Sequence, residues 1–157
     1  MQYGLDRQIV ERERLHMTIG KLAVQHPIPL PDMVDHVEQA FTGHNFPGCE
    51  IVLDRLSGGM LESSDRLSGL HHLHGELSGV LDSKGLGIVN KSFHPHLSLS
   101  YASYRGISIV PRIVWHATEM ILIESLHGRH LHRPLRKWGL ARDQIAPVPK
   151  QLEIWNA

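Results

Sequence analysis

The 157-residue chain has a single cysteine, Cys49, so no disulfide can form within it and no cysteine-based zinc site can be built. A lone thiol makes a reducing compartment the default expectation. Charge of one sign is missing too. Lys plus Arg number 16 and Asp plus Glu number 16, giving a formal net charge of zero. That excludes a grip on long nucleic acid by bulk charge, yet leaves a small nucleotide or an RNA end open as a ligand. No apolar run approaches the roughly eighteen residues that a membrane helix needs. The N-terminus, Met1-Gln2-Tyr3-Gly4-Leu5-Asp6-Arg7, lacks the basic-then-apolar order of a secretion signal. The simplest expectation is a cytoplasmic protein with no membrane partner. What the sequence has in excess is histidine, 13 residues scattered along its length, and abundance alone indicates little.

Hydrophobic residues make up 41% and charged residues 20%, enough for one domain, 1–157, with a real core. The polar residues 1–13 lead into a strand reaching Leu22 or Val24. His26-Pro27-Ile28-Pro29-Leu30-Pro31 then forces an extended connection. Met33, Val34, Val37, Ala40 and Phe41 recur every three or four residues, which predicts an amphipathic helix closed near Gly43. Cys49 to Leu56 reads as a strand ended by Ser57-Gly58-Gly59, with Met60 to Ser63 as a short partner. Ser64 or Asp65 can cap a second helix whose stripe is Leu67, Leu70, Leu73, Leu77, Val80 and Leu81, stopped at Lys84-Gly85. A loop runs through Lys91. Ile107 to Val114 contains Pro111 and so reads as extended and at an edge. Thr118 to Leu126 and Leu131 to Trp138 read as a hairpin about His127-Gly128-Arg129. The tail, with Pro147 and Pro149, shows no strong element. This order is an α+β domain.

Two stretches carry the chemistry. In Phe93-His94-Pro95-His96-Leu97-Ser98-Leu99-Ser100-Tyr101, apolar and polar residues alternate as on a half-buried strand. A period of two puts His96, Ser98 and Ser100 on one face and Leu97, Leu99 and Tyr101 on the other. Eighty residues earlier, Arg14-Leu15-His16-Met17-Thr18-Ile19-Gly20 repeats the pattern, with Leu15, Met17 and Ile19 as the apolar row. Phosphodiester chemistry needs a base, an acid and donors for the charge that grows on the non-bridging oxygens. Histidine serves as base or acid near neutral pH, and a hydroxyl two residues along the same face points into the same space. His16 with Thr18 and His96 with Ser98 supply each group twice, and the scheme requires no metal or cofactor. One His-x-Thr/Ser on a strand usually means nothing; two with the same face assignment seldom arise by chance.

These residues, His16-Met17-Thr18-Ile19 and Pro95-His96-Leu97-Ser98-Leu99, resemble the paired motifs of the two-histidine phosphoesterases. The branch they are most similar to is that of the 2′-5′ RNA ligases and RNA 2′,3′-cyclic phosphodiesterases. Trp115, the segment Glu119-Met120-Ile121-Leu122-Ile123-Glu124-Ser125, and Trp138-Gly139-Leu140 add to the likeness, which spans about residues 14–140 and leaves 141–157 as a tail. The resemblance implies a bilobal α+β fold of two small antiparallel sheets with pseudo-two-fold symmetry, flanked by helices, with a groove between them. It implies catalysis by His16, His96, Thr18 and Ser98, one histidine acting as base toward water and the other as acid toward the leaving ribose oxygen. The implied reaction opens a 2′,3′-cyclic phosphate on an RNA end or nucleotide to a 2′-phosphate, with 2′-5′ RNA ligation a related activity. A non-catalytic RNA- or nucleotide-binding module of the same fold is the alternative. Family members carry a strand and a helix before the first motif, where here fifteen residues precede His16. A shortened first lobe is therefore expected, or a strand supplied another way, such as by the partner chain of a homodimer.

Lys91 and Tyr104 flank the second motif and are candidates for phosphate contact or base stacking. His71-His72-x-His74 invites a metal reading, but no carboxylate or cysteine completes a set, so a solvated helix face is expected. Arg129, His130, His132, Arg133, Arg136 and Lys137 form a basic arm that either meets RNA backbone or is a solvated face. Trp115, Trp138 and Trp155 read as packing or edge residues, and Gly58-Gly59 and Gly85-x-Gly87 as turns.

Overall fold

Two helices with apolar stripes lie against antiparallel strands. The computed structural model describes residues 9–24, 27–88, 92–101, 106–126 and 131–141. A 3-10 turn (Arg12–Arg14) is followed by β1 (Leu22–Val24), α1 (Leu30–Phe41), β2 (Cys49–Ser57), β3 (Met60–Glu62) and α2 (Ser68–Asp82). After these come β4 (Leu86–Ile88), β5 (Leu97–Ser98), β6 (Ile107–Ala117), β7 (Glu119–Leu126) and β8 (Leu131–Gly139). The α+β class expected from the sequence is the observed one. None of the described helices is long and apolar enough to cross a membrane.

The core forms where the stripes meet. α1 buries Val34, Val37, Ala40 and Phe41, and α2 buries Leu70, Leu73, Leu77 and Leu81. They cover the face of β2 that carries Cys49, Ile51, Leu53 and Leu56. Each leucine so enclosed contributes about 1.5–3 kcal/mol of transfer free energy. α1 begins at Leu30 with Pro31 in its first turn, slightly before the end of the extended connection read from the prolines. The chain leaves it through Gly43 at φ 79°, a left-handed conformation that favours glycine. α2 starts later than the capping residues suggest. Ser64 gives its backbone N–H and its hydroxyl to the Asp54 carboxylate, which holds 64–65 in the loop, and the helix begins at Ser68 with no side-chain cap.

Hydrogen bonding divides the strands into a four-stranded sheet, order β5-β3-β2-β6, and two pairs, β1-β4 and β7-β8. The two-sheet expectation is thus replaced by three bonded units. β6 is an edge strand, as Pro111 requires, and its register slips against β2 between Leu53 and Arg55 where the proline falls. β4 lies where the sequence reads as loop; Leu86-Gly87-Ile88 is too short for a period to show, and only its pairing with β1 makes it a strand. The first motif is also less regular than its alternation suggests. Residues 15–20 form no ladder and make a single bridge, Met17 to Leu97, and ladder pairing begins only at Leu22.

That bridge is the pseudo-two-fold element. On its β5 side the order continues through β3 to the long pair β2-β6. On the first-motif side the matching long pair is β7-β8, but no described strand takes the place corresponding to β3. A cavity of about 510 Å³ lies there instead, between residues 16–22 and 115–123, with Phe41, Leu70, Leu73 and Trp138 beneath it.

The end of β8 is tied back to the start of β2. Gly48 donates its N–H to the Ala141 carbonyl at 2.7 Å, and Ala141 donates to Phe46 at 2.8 Å. A Cβ on residue 48 would stand 2.6 Å from the Ala141 oxygen and 2.8 Å from the Ala117 oxygen, both backbone atoms that cannot swing away. Gly48→Ala is therefore expected to cost about 1–3 kcal/mol. Thermal denaturation would read this as a lowered Tm, and an unchanged Tm would show that the tie is loose.

Candidate active site

The two motif segments meet antiparallel at Met17 and Leu97. Both of these side chains pack on the core. In antiparallel pairing, residues on either side of such a pair point to the opposite face. His16 and Ser98 therefore flank the bridge on one side and Thr18 and His96 on the other, all four turned away from the core. His16 and Thr18 are exposed; His96 and Ser98 are half-buried. The structure thus brings together the four residues that the sequence singles out.

Each histidine is held in the same way. His16 Nδ1 lies 2.7 Å from the Arg14 carbonyl, and His96 Nδ1 lies 2.9 Å from the His94 carbonyl, two residues upstream in both cases. A carbonyl only accepts, so this contact assigns the proton to Nδ1 and leaves Nε2 free to face a ligand. Each ring therefore keeps Nε2 outside that contact and has a hydroxyl residue two positions on, an arrangement whose chemistry would suit proton transfer and hydrogen-bond donation.

The surroundings of the two rings differ. Behind His96, the carboxylate of Glu62 on β3 is 6% exposed and takes hydrogen bonds from His94 Nε2 at 2.9 Å and Arg55 at 2.8 Å. Burial pushes the Glu62 carboxyl up, but the bonds and charges of His94 and Arg55 outweigh it and hold the group below the usual glutamate value. His94 sits two residues before His96, on the same face, and that spacing was the available signal. Nothing in the sequence marks Glu62 as its partner.

The segment before the second motif is anchored by α2. His74 stacks on Phe93 with ring centroids 4.4 Å apart, and His71 meets the same ring edge-on at 5.1 Å. Burial, and then the neighbouring His71, push His74 below the usual histidine value. His71 and His74 thus pack on Phe93 where a solvated face was expected. Among the described residues no group of His, Cys, Asp or Glu is arranged to hold a metal ion.

Beside His16 the structure adds a residue that the sequence reading left within the basic arm. His132 on β8 meets the His16 ring edge-on, centroids 4.6 Å apart. The other described cations of that arm are ion-paired: Arg133 with Glu124 at 2.7 Å, Arg136 with Glu38 at 3.1 Å, and Lys137 with Glu119. Arg129, His130, Lys91 and Tyr104 lie outside the described residues. Two expected faces also shift. Ser100 is 4% exposed, because Ile9 pairs with it, and Tyr101 is 57% exposed although alternation placed it with the core leucines. Leu15 is likewise exposed, since the preceding 3-10 turn lifts it from the core.

The architecture is an α+β fold shared with solved phosphoesterase structures. One crystal structure of a phosphoesterase superposes with a TM-score of 0.64 at 21% identity, covering 85% of this chain and 80% of the other. LigT of E. coli is another protein with a similar fold. Its complex with 3′-AMP gives a TM-score of 0.63 at 22% identity over 84% of this chain and 80% of LigT. Its ATP complex gives 0.59 at 20% identity over 85% and 80%. No family model and no curated protein matches the chain.

Proposed function

We propose that the chain is a metal-independent phosphoesterase of the two-histidine kind that opens the 2′,3′-cyclic phosphate of an RNA end or nucleotide to a 2′-phosphate. The observation that supports it best is the doubled arrangement of His16 with Thr18 and His96 with Ser98 about the Met17–Leu97 bridge. Both rings are held through Nδ1, which leaves each Nε2 unengaged by that contact. The likeness in fold to a phosphoesterase and to LigT, which has been crystallised with nucleotides, supports the same reading.

In the proposed reaction, a neutral histidine takes a proton from water as its oxygen bonds to phosphorus. The P–O3′ bond breaks, and the second histidine, protonated, gives its proton to the departing 3′ oxygen. Thr18 and Ser98 donate to the non-bridging oxygens, which gain charge in the transition state. The pair ends with its protons exchanged and returns to the starting state through solvent.

The test is turnover of a nucleoside 2′,3′-cyclic monophosphate in EDTA, with the product regiochemistry read by phosphorus NMR. A 2′-monophosphate is expected, at a rate that EDTA does not change. Thr18→Val should lower kcat by about a hundredfold with little change in KM, as for loss of a transition-state donor. Saturable binding of the cyclic nucleotide with no product would point to the non-catalytic nucleotide-binding module.

A further inference from the structure

We infer that Arg14 and His132 form a second anion subsite beside His16, which takes the phosphate on the 5′ oxygen of the ribose whose cyclic phosphate lies between the motif residues. This rests on the proposed reaction for its substrate and names a preference that the reaction alone does not require: an RNA end, or a 5′-phosphorylated nucleotide, over a nucleoside cyclic phosphate with a free 5′ hydroxyl.

Three cation-capable groups from two distant parts of the chain converge here. Arg14 closes the 3-10 turn, where its carbonyl orients His16. His132 arrives from β8, opposite Ser125, with its ring against that of His16. The Nε atom of Arg14 is buried and has no hydrogen-bond partner. A guanidinium N–H without a partner is costly in a folded protein, and a bound anion supplies the missing acceptor. The neighbouring cations of β8 differ in this respect, since Arg133, Arg136 and Lys137 are each matched to a glutamate. Burial, and then the charges of His16 and Arg14, hold His132 below the usual histidine value, and no carboxylate acts on it in return. Glu124 of β7 is engaged by Arg133. An anion seated among Arg14, His16 and His132 relieves that repulsion and accepts from the Arg14 fork and the His132 ring.

The position matches the chemistry of an RNA end. A phosphate held by the four motif residues touches His16, and the His132 ring is one imidazole further along. The second anion nearest to a terminal 2′,3′-cyclic phosphate is the phosphodiester on the 5′ oxygen of the same ribose. On the other side of the site the Arg55 Nε is likewise buried without a partner, but Glu62 is bonded to both Arg55 and His94, so the cations there already have their counter-charge.

The experiment is binding, so that its outcome does not depend on turnover. Adenosine 3′,5′-bisphosphate and 3′-AMP are titrated by calorimetry into wild type and into Arg14→Gln/His132→Asn, with the histidine resonances followed by NMR. Wild type should bind the bisphosphate at least tenfold tighter than 3′-AMP, and the variant should lose that ratio. In wild type the bisphosphate should also raise the His132 titration midpoint more than 3′-AMP does, a response that a merely structural His132 would not show. Equal affinities in wild type, or a ratio that survives in the double variant, would overturn the subsite. Absence of cyclic-phosphate turnover alongside an intact ratio would instead count against the proposed reaction and leave the subsite standing.

Discussion

A His96→Ala protein is expected to open a nucleoside 2′,3′-cyclic phosphate roughly 10²–10⁴-fold more slowly than wild type, the range for removal of a placed acid or base. The fold should survive, because His96 lies outside the buried core and its ring is anchored by one bond to the His94 carbonyl. His16→Ala should lose a similar factor. The double variant should lose little more than either single one, since a base without its acid completes no turnover and such paired groups are not additive. The pH profile of kcat/KM in wild type should be bell-shaped, because one ring must be neutral while the other is protonated. Each single variant should lose one limb of it. Near-wild-type turnover by His96→Ala would end the two-histidine mechanism.

The chain shows which features of such a site are local in sequence. The motif quartet was legible because strand alternation is a two-residue rule, and the His–hydroxyl spacing states its own geometry. The stripes on α1 and α2 were legible for the same reason at a helical period. What escaped was set by partners distant in the chain. Leu86-Gly87-Ile88 becomes strand only because Leu22-Ala23-Val24 lies beside it. Ser100 is buried by Ile9, some ninety residues upstream, against its alternation. Phe93 is seated by His71 and His74, so two of a triplet that suggested metal or solvent form an aromatic cradle, while His72 stays exposed beside Glu76. His132 read as one cation among six. Only the pairing of Arg133, Arg136 and Lys137 with glutamates on other elements sets it apart, facing His16.

Glu62 carries the second large prediction, and it concerns stability and activity together. Its carboxylate is nearly enclosed and accepts from His94 and Arg55, so Glu62→Gln replaces one acceptor oxygen by a donor facing a donor. Breaking a buried charged network costs about 3–5 kcal/mol. Arg55 and His94 keep solvent access, so the lower end, about 3 kcal/mol, is expected here. For a chain of this length that lowers Tm by about 6–12 °C. The pH dependence has a definite sign. Glu62 is held below the usual glutamate value in the fold, so its contribution is present above the unfolded value and is lost as pH falls through the folded one. The gap in Tm between wild type and Glu62→Gln should therefore be full at neutral pH and close in acid. Activity should follow by a separate route. Glu62 fixes the His94 side chain, and the His94 carbonyl fixes His96 Nδ1, so the variant should lose kcat even well below its Tm, where it is folded. Melting curves across pH, paired with kcat at low temperature, separate the two effects. A gap in Tm that persists undiminished in acid would show that the charge of Glu62 is not what holds His94. An unchanged kcat in the folded variant would show that His96 is oriented without it.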